Sequence, residues 1–217
     1  MDEMVTEFNK SLIINSTDAI QEYLEIGVDK LLENKIATEL PVIKTIVGAG
    51  KIVKTISEKN LIKNLILFIN ELNCGSIDKE KLEKHRKKLN ENHTKAEKEL
   101  GRILIILDKT IDNQKSIFLG KVYKAYINQK IDWELFIEFS EIINRIFIQD
   151  FKVLKLLYLD TFDSENKNDM FKVERMISLG IIGFTANFIN QTTKDSKYNS
   201  FVGLNNMGKI FCNIIFN

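Results

Sequence analysis

Proline occurs once in this chain of 217 residues, at Pro41, and glycine only ten times. No other feature limits the fold as strongly. An all-β chain needs a turn about every 8–12 residues, and Gly and Pro are its strongest punctuation. A chain with so few breakers and 44% hydrophobic residues reads as amphipathic helices joined by short connections.

The first long helix is expected from Ser16 or Thr17 to Asn34, with Ile20, Tyr23, Leu24, Val28, Leu31 and Leu32 on one face. Val5 to Ile14 precedes it as a further helix or an arm. Pro41 sits where a helix can begin, since its missing N–H costs nothing in a first turn. Gly48 and Gly50 lie in the next segment. This G-x-G pair continues a helical pattern and lacks the rest of a dinucleotide fingerprint, so it reads as a bend or a close packing point. Ser57 can cap a helix over Glu58 to Leu72. Around Leu61, Leu65 and Phe68 this helix is apolar on nearly every side. It is therefore either central in a bundle or part of a partner interface.

Asp78 opens the most polar stretch. Lys79, Lys81, Lys84, Arg86, Lys87 and Lys88 interleave with Glu80 and Glu83. Such a mixture reads as a solvated helix with i,i+4 pairs, because no aromatic residues accompany the cations to stack bases. Four more helices come after it, opening near Thr94, Asn113, Asp132 and Asp150. Tyr123, Tyr126, Trp133, Phe136 and Phe147 fall at helical spacing and read as core, or as the lining of a pocket. Connections this short imply antiparallel neighbours.

A polar loop over 160–168 is the expected boundary. Beyond it Asp169 caps a short helix stopped by Gly180. Ile182, Phe184, Ala186 and Phe188 then alternate as in a half-buried strand. Phe201 to Leu204 reads as a second strand, and Asn205 caps a last helix. The expected fold class is mainly α. Residues 1–160 form a multi-helix up-and-down array. Residues 168–217 form a small helix–β-hairpin–helix unit that resembles the wing half of a winged helix.

A net charge of +1 gives no global case for nucleic acid or an anionic membrane surface. His85 and His93 stand eight apart in the polar stretch, without the three- or four-residue spacing of metal ligands on a helix, and read as exposed. Glu138 and Glu141 have no Glu-x-x-His companion. No catalytic residue, metal site or cofactor is assigned. Cys74 and Cys212 read as reduced thiols of a cytoplasmic protein. The acidic N-terminus lacks an apolar leader. Leu40 to Ile56 is broken by Lys44, Lys51 and Lys54, and Met176 to Thr193 carries many polar groups, so neither reads as a membrane span.

Three stretches carry a resemblance. They are Glu39-Leu40-Pro41-Val42-Ile43-Lys44 leading to Leu61-Ile62-Lys63-Asn64-Leu65, then Leu119-Gly120-Lys121-Val122-Tyr123-Lys124-Ala125-Tyr126 with Ile131-Asp132-Trp133-Glu134-Leu135-Phe136, and last Met176-Ile177-Ser178-Leu179-Gly180-Ile181-Ile182 with Leu204-Asn205-Asn206-Met207-Gly208-Lys209. Together they resemble a loose group of uncharacterised bacterial helical proteins. The third is similar to the end of abortive-infection alpha-type proteins. The resemblance implies a setting in bacteria–phage conflict and carries over no functional residue.

The expected function is a non-enzymatic protein-interaction or regulatory protein, with another protein as partner and Leu61, Leu65 and Phe68 as interface candidates; a homo-oligomer is an open alternative. A second reading is a DNA-binding regulator using Lys172, Arg175, Lys194 and Lys197. Asp169, Glu174 and Asp195 weaken that phosphate clamp. A third is a membrane-active effector through residues 40–69.

Overall fold

The computed structural model describes residues 2–11, 30, 40–48, 55–74, 77–163, 167–187 and 199–217. Among these the chain is mostly helical, with ten helices and one two-stranded antiparallel sheet. The helix expected between Ser16 and Asn34 lies outside the described residues except at Lys30, as do Gly50, Lys194 and Lys197. The chain divides into two compact units, Met1–Asn144 and Arg145–Asn217.

The first unit contains α1 (Asp2–Ser11), α2 (Pro41–Gly48), α3 (Ile56–Asn73), α4 (Lys79–Glu91), α5 (His93–Lys109), α6 (Asn113–Ile127) and nearly all of α7 (Trp133–Arg145). α3 begins on a capping box: the Thr55 side chain accepts from the Glu58 N–H, and Glu58 reaches back to the Thr55 N–H. The cap is thus two residues before the expected Ser57. α3 is the central helix. Leu65, Ile66, Leu67, Phe68 and Ile69 are all fully buried. That explains a helix apolar on every side and corrects the interface reading, since Leu65 and Phe68 have no surface to offer a partner. Leu61 is half-buried.

α3 and α6 cross closely at Gly120. A Cβ there would meet the Glu71 Cβ and Cγ at 2.9 Å and the Phe68 carbonyl oxygen at 3.0 Å. Beside the crossing, the Lys124 ammonium pairs with the Glu71 carboxylate at 2.9 Å. Further along, asparagines fix the same helices. Asn64 donates to the carbonyls of Leu107 (2.9 Å) and Thr110 (2.7 Å), satisfying the C-terminal end of α5, while Asn113 donates to the Asn64 side-chain oxygen at 2.7 Å.

The second unit holds α8 (Asp150–Tyr158), α9 (Lys167–Ser178), β1 (Ile182–Asn187), β2 (Asn199–Leu204) and α10 (Asn206–Phe216). The strands pair from Ile182 with Leu204 to Asn187 with Asn199. Phe188, expected to continue the first strand, lies outside the described residues. α8 falls in this unit, although the sequence placed the boundary after it. Asp150, 1% exposed, receives both forks of Arg175 from α9, at 2.6 and 3.1 Å, which ties α8 to α9. Gly180 takes φ +76° at the end of α9, as a left-handed helix stop requires. A Cβ at Gly208 would overlap the Ile181 carbonyl oxygen, so only glycine lets α10 sit against this turn.

Candidate functional site

α4, α5 and α6 bring three polar side chains together inside the first unit. The Tyr123 hydroxyl donates to Glu99 Oε1 at 2.7 Å. His85 Nε2 lies 3.1 Å from both the Tyr123 oxygen and Glu99 Oε1. With Tyr123 donating to Glu99, both groups facing Nε2 present acceptors, so the network places a proton on that nitrogen. The Tyr126 hydroxyl reaches Glu99 Oε2 only at 3.4 Å, which leaves that oxygen weakly bonded. Burial and the neighbouring Glu99 push the Tyr123 phenol well above its ordinary value, and Tyr126 rises for the same reasons.

Aromatic rings frame the cluster. Tyr123 packs against Phe136 at 5.4 Å and Phe68 at 5.7 Å between centroids. Trp133 stacks on Phe136 at 4.9 Å. His85 meets Tyr126 edge-on.

Two hollows open beside this cluster, and Lys95 and Glu99 line both. The smaller, of about 70 Å³, is also lined by Lys84, His85, Lys88, Tyr126 and Gln129. The larger, of about 500 Å³, is also lined by Asn92, Thr94, Lys98 and Trp133. Three other cations of α4 are engaged: Arg86 pairs with Glu83, Lys87 with Glu91, and Lys81 donates to the Asn128 carbonyl. Among the described residues, Lys84, Lys88, Lys95 and Lys98 stand in no ion pair.

The sequence pattern led to the expectation that His85 is exposed. It is 9% exposed, whereas His93 is at the surface. Tyr123, Tyr126, Trp133 and Phe136 do gather, but Phe147 lies in the other unit and is largely exposed. One signal was legible: His85, Lys84 and Lys88 fall on the same side of a helix as Leu89, at the i, i+3 and i+4 spacing that marks a face. Glu99 carried no such mark, because a buried carboxyl among apolar neighbours looks like any surface glutamate in a sequence.

The DNA candidates are differently placed. The Arg175 guanidinium lies between the Phe147 and Phe171 rings, at 4.9 and 4.8 Å from their centroids, while it bridges Asp150. Lys172 pairs with Asp169 at 2.7 Å. Both charges are thus neutralised within the unit. Cys74 and Cys212 are free of disulfide, and burial pushes the Cys212 thiol up to about 12. Among the described residues no trio of His, Cys, Asp or Glu is arranged to hold a metal ion, and no helix is long and apolar enough to cross a membrane. A scan against protein-family models and searches of curated proteins and of solved structures each returned no match.

Proposed function

We propose that the chain is a non-enzymatic interaction protein that contacts another protein through its C-terminal unit. The supporting observation is apolar exposure within residues 145–217. Phe147 is 58% and Phe171 50% exposed, on either side of the Arg175 guanidinium, and Leu156, Leu159 and Ile210 are exposed as well. Isolated exposed aliphatics are ordinary, but two half-exposed aromatics stacked on one cation present a preformed contact surface. Since Arg175 is matched by Asp150, this surface suits an apolar partner face better than a phosphate backbone. The bacteria–phage setting rests on the resemblance of residues 176–182 and 204–209 alone.

The test compares wild type with Phe147→Ser/Phe171→Ser and with Leu159→Ser, which leaves the stack untouched. Each is purified from a bacterial host with and without phage infection, and co-purified proteins are quantified by mass spectrometry. A protein held by wild type and lost from variants of unchanged circular dichroism is the expected result. Identical recoveries from all three would reject the reading. Light scattering on the same samples reports whether a second copy of the chain is the occupant.

A further inference from the structure

We propose that the two hollows that meet at Lys95 and Glu99 together form a binding site for a nucleoside polyphosphate. The smaller carries Lys84 and Lys88 of α4, the larger carries Lys98 of α5, and Lys95 of α5 lines both, so four ammonium groups stand around the pair. Like charges three and four residues apart on a helix repel. Elsewhere on α4 the chain offsets that repulsion with Glu83 and Glu91, but among the described residues no carboxylate stands at ion-pair distance from these four lysines. An anion with several charges is the ligand that would complete the site.

The wall and floor select a planar aromatic group over bare phosphate. Trp133 lines the larger hollow and is backed by its stack on Phe136, so a nucleobase would meet a ring already held in place. Glu99 is 2% exposed and lines both hollows. Its Oε1 is taken by Tyr123 and His85, whereas Oε2 has only the 3.4 Å contact from Tyr126. A carboxyl oxygen so placed accepts from the exocyclic amino group of a base and repels phosphate. A volume of about 500 Å³ lies within the range of small-molecule sites. The charges set the ligand's orientation: phosphates toward the four lysines, base toward Trp133 and Glu99.

Trp133 is the sole tryptophan of the chain, so its fluorescence reports on this site directly. The full chain is titrated at low salt with ATP, GTP, CTP and UTP, with tripolyphosphate and with adenosine, and each titration is repeated by calorimetry. At least one nucleoside triphosphate is expected to give a saturable change that added salt weakens. Lys95→Glu/Lys98→Glu, altering exposed side chains only, is expected to weaken it about tenfold or more with circular dichroism unchanged. Trp133→Phe, followed by calorimetry, is expected to weaken nucleotide binding while leaving tripolyphosphate binding as it was. No saturable signal from any of the four nucleotides in either method overturns the proposal. Tripolyphosphate binding as tightly as the nucleotides overturns the assignment of a nucleoside.

Discussion

Tyr123 gives its hydroxyl proton to Glu99 in a hydrogen bond of 2.7 Å between groups that are 0% and 2% exposed. Each group is the other's substitute for water. Removing either one leaves the other half-stranded, with His85 Nε2 at 3.1 Å as its remaining close partner, at about 1–3 kcal/mol. Tyr123→Phe and Glu99→Leu are each expected to lower the stability of the first unit by that amount. The double variant is expected to cost less than the sum of the two, because the second change removes the stranded partner. Urea unfolding of all four proteins measures the difference, and strict additivity would show that the pair is not coupled.

Alkaline pH should unfold the chain in a defined order. The Tyr123 and Tyr126 phenols, ordinarily near 10.0, are raised in the fold. The Cys212 thiol, ordinarily near 9.0, is raised to about 12. A group with a raised folded value contributes stability in full below its unfolded value and loses it as pH climbs toward the folded value. The second unit is therefore expected to weaken from about pH 9, through Cys212, and the first from about pH 10, through the two tyrosines. Phenolate absorbance followed alongside circular dichroism checks the order. Tyr123 and Tyr126 should ionise only as helix signal is lost, and their ionisation in a still-folded chain would contradict it.

The Asp150–Arg175 bridge should be asymmetric to mutation. Asp150 is 1% exposed, while the Arg175 side chain is 38% exposed. Arg175→Met leaves a carboxylate without its counter-charge in the interior. Asp150→Asn leaves a guanidinium that can turn toward water. The first is expected to destabilise the second unit by about 2 kcal/mol more than the second change does, measured as the shift of its thermal transition. Equal losses would mean that the Phe147 and Phe171 rings, rather than the charge, hold Arg175 in place.

Among the described residues, three helix ends use the same left-handed stop with different residues. Gly180 takes φ +76°, Gln129 +57° and Asp160 +56°. In each case the next residue's N–H bonds back into the last turn: Ile181 to Met176, Lys130 to Ala125 and Thr161 to Leu156. Gln129→Gly is expected to raise stability by about 0.5–1 kcal/mol, and Gly180→Ala to lower it by about 1 kcal/mol. Opposite shifts in melting temperature confirm this, and shifts of the same sign would not fit.

The helix pattern was legible because burial against a neighbour imposes a period that a sequence displays. Asn205 caps its helix as read, its side chain accepting the Gly208 N–H. The central position of α3 was legible only as one of two alternatives, since an interface and a core demand the same side chains. The boundary was placed too late because an ion pair between Asp150 and Arg175 spans 25 residues of chain and leaves no local trace. The same is true of the candidate ligand site. Its lysines look like any solvated helix until the partners of Arg86 and Lys87 are known, and Glu99 gains its meaning only from Tyr123, 24 residues further on.

Gly120 has a consequence for which alignments of the bundle can exist. Slipping α6 by one turn in either direction would bring Ser116 or Lys124 to the point where even a methyl group collides with Glu71 and the Phe68 carbonyl. A slipped pairing is therefore not a slightly poorer version of the native one that thermal motion could sample. It is forbidden by hard contact, so the two central helices share one registration or separate altogether. The chain keeps this lock at the helix-propensity penalty of one interior glycine, about 1 kcal/mol.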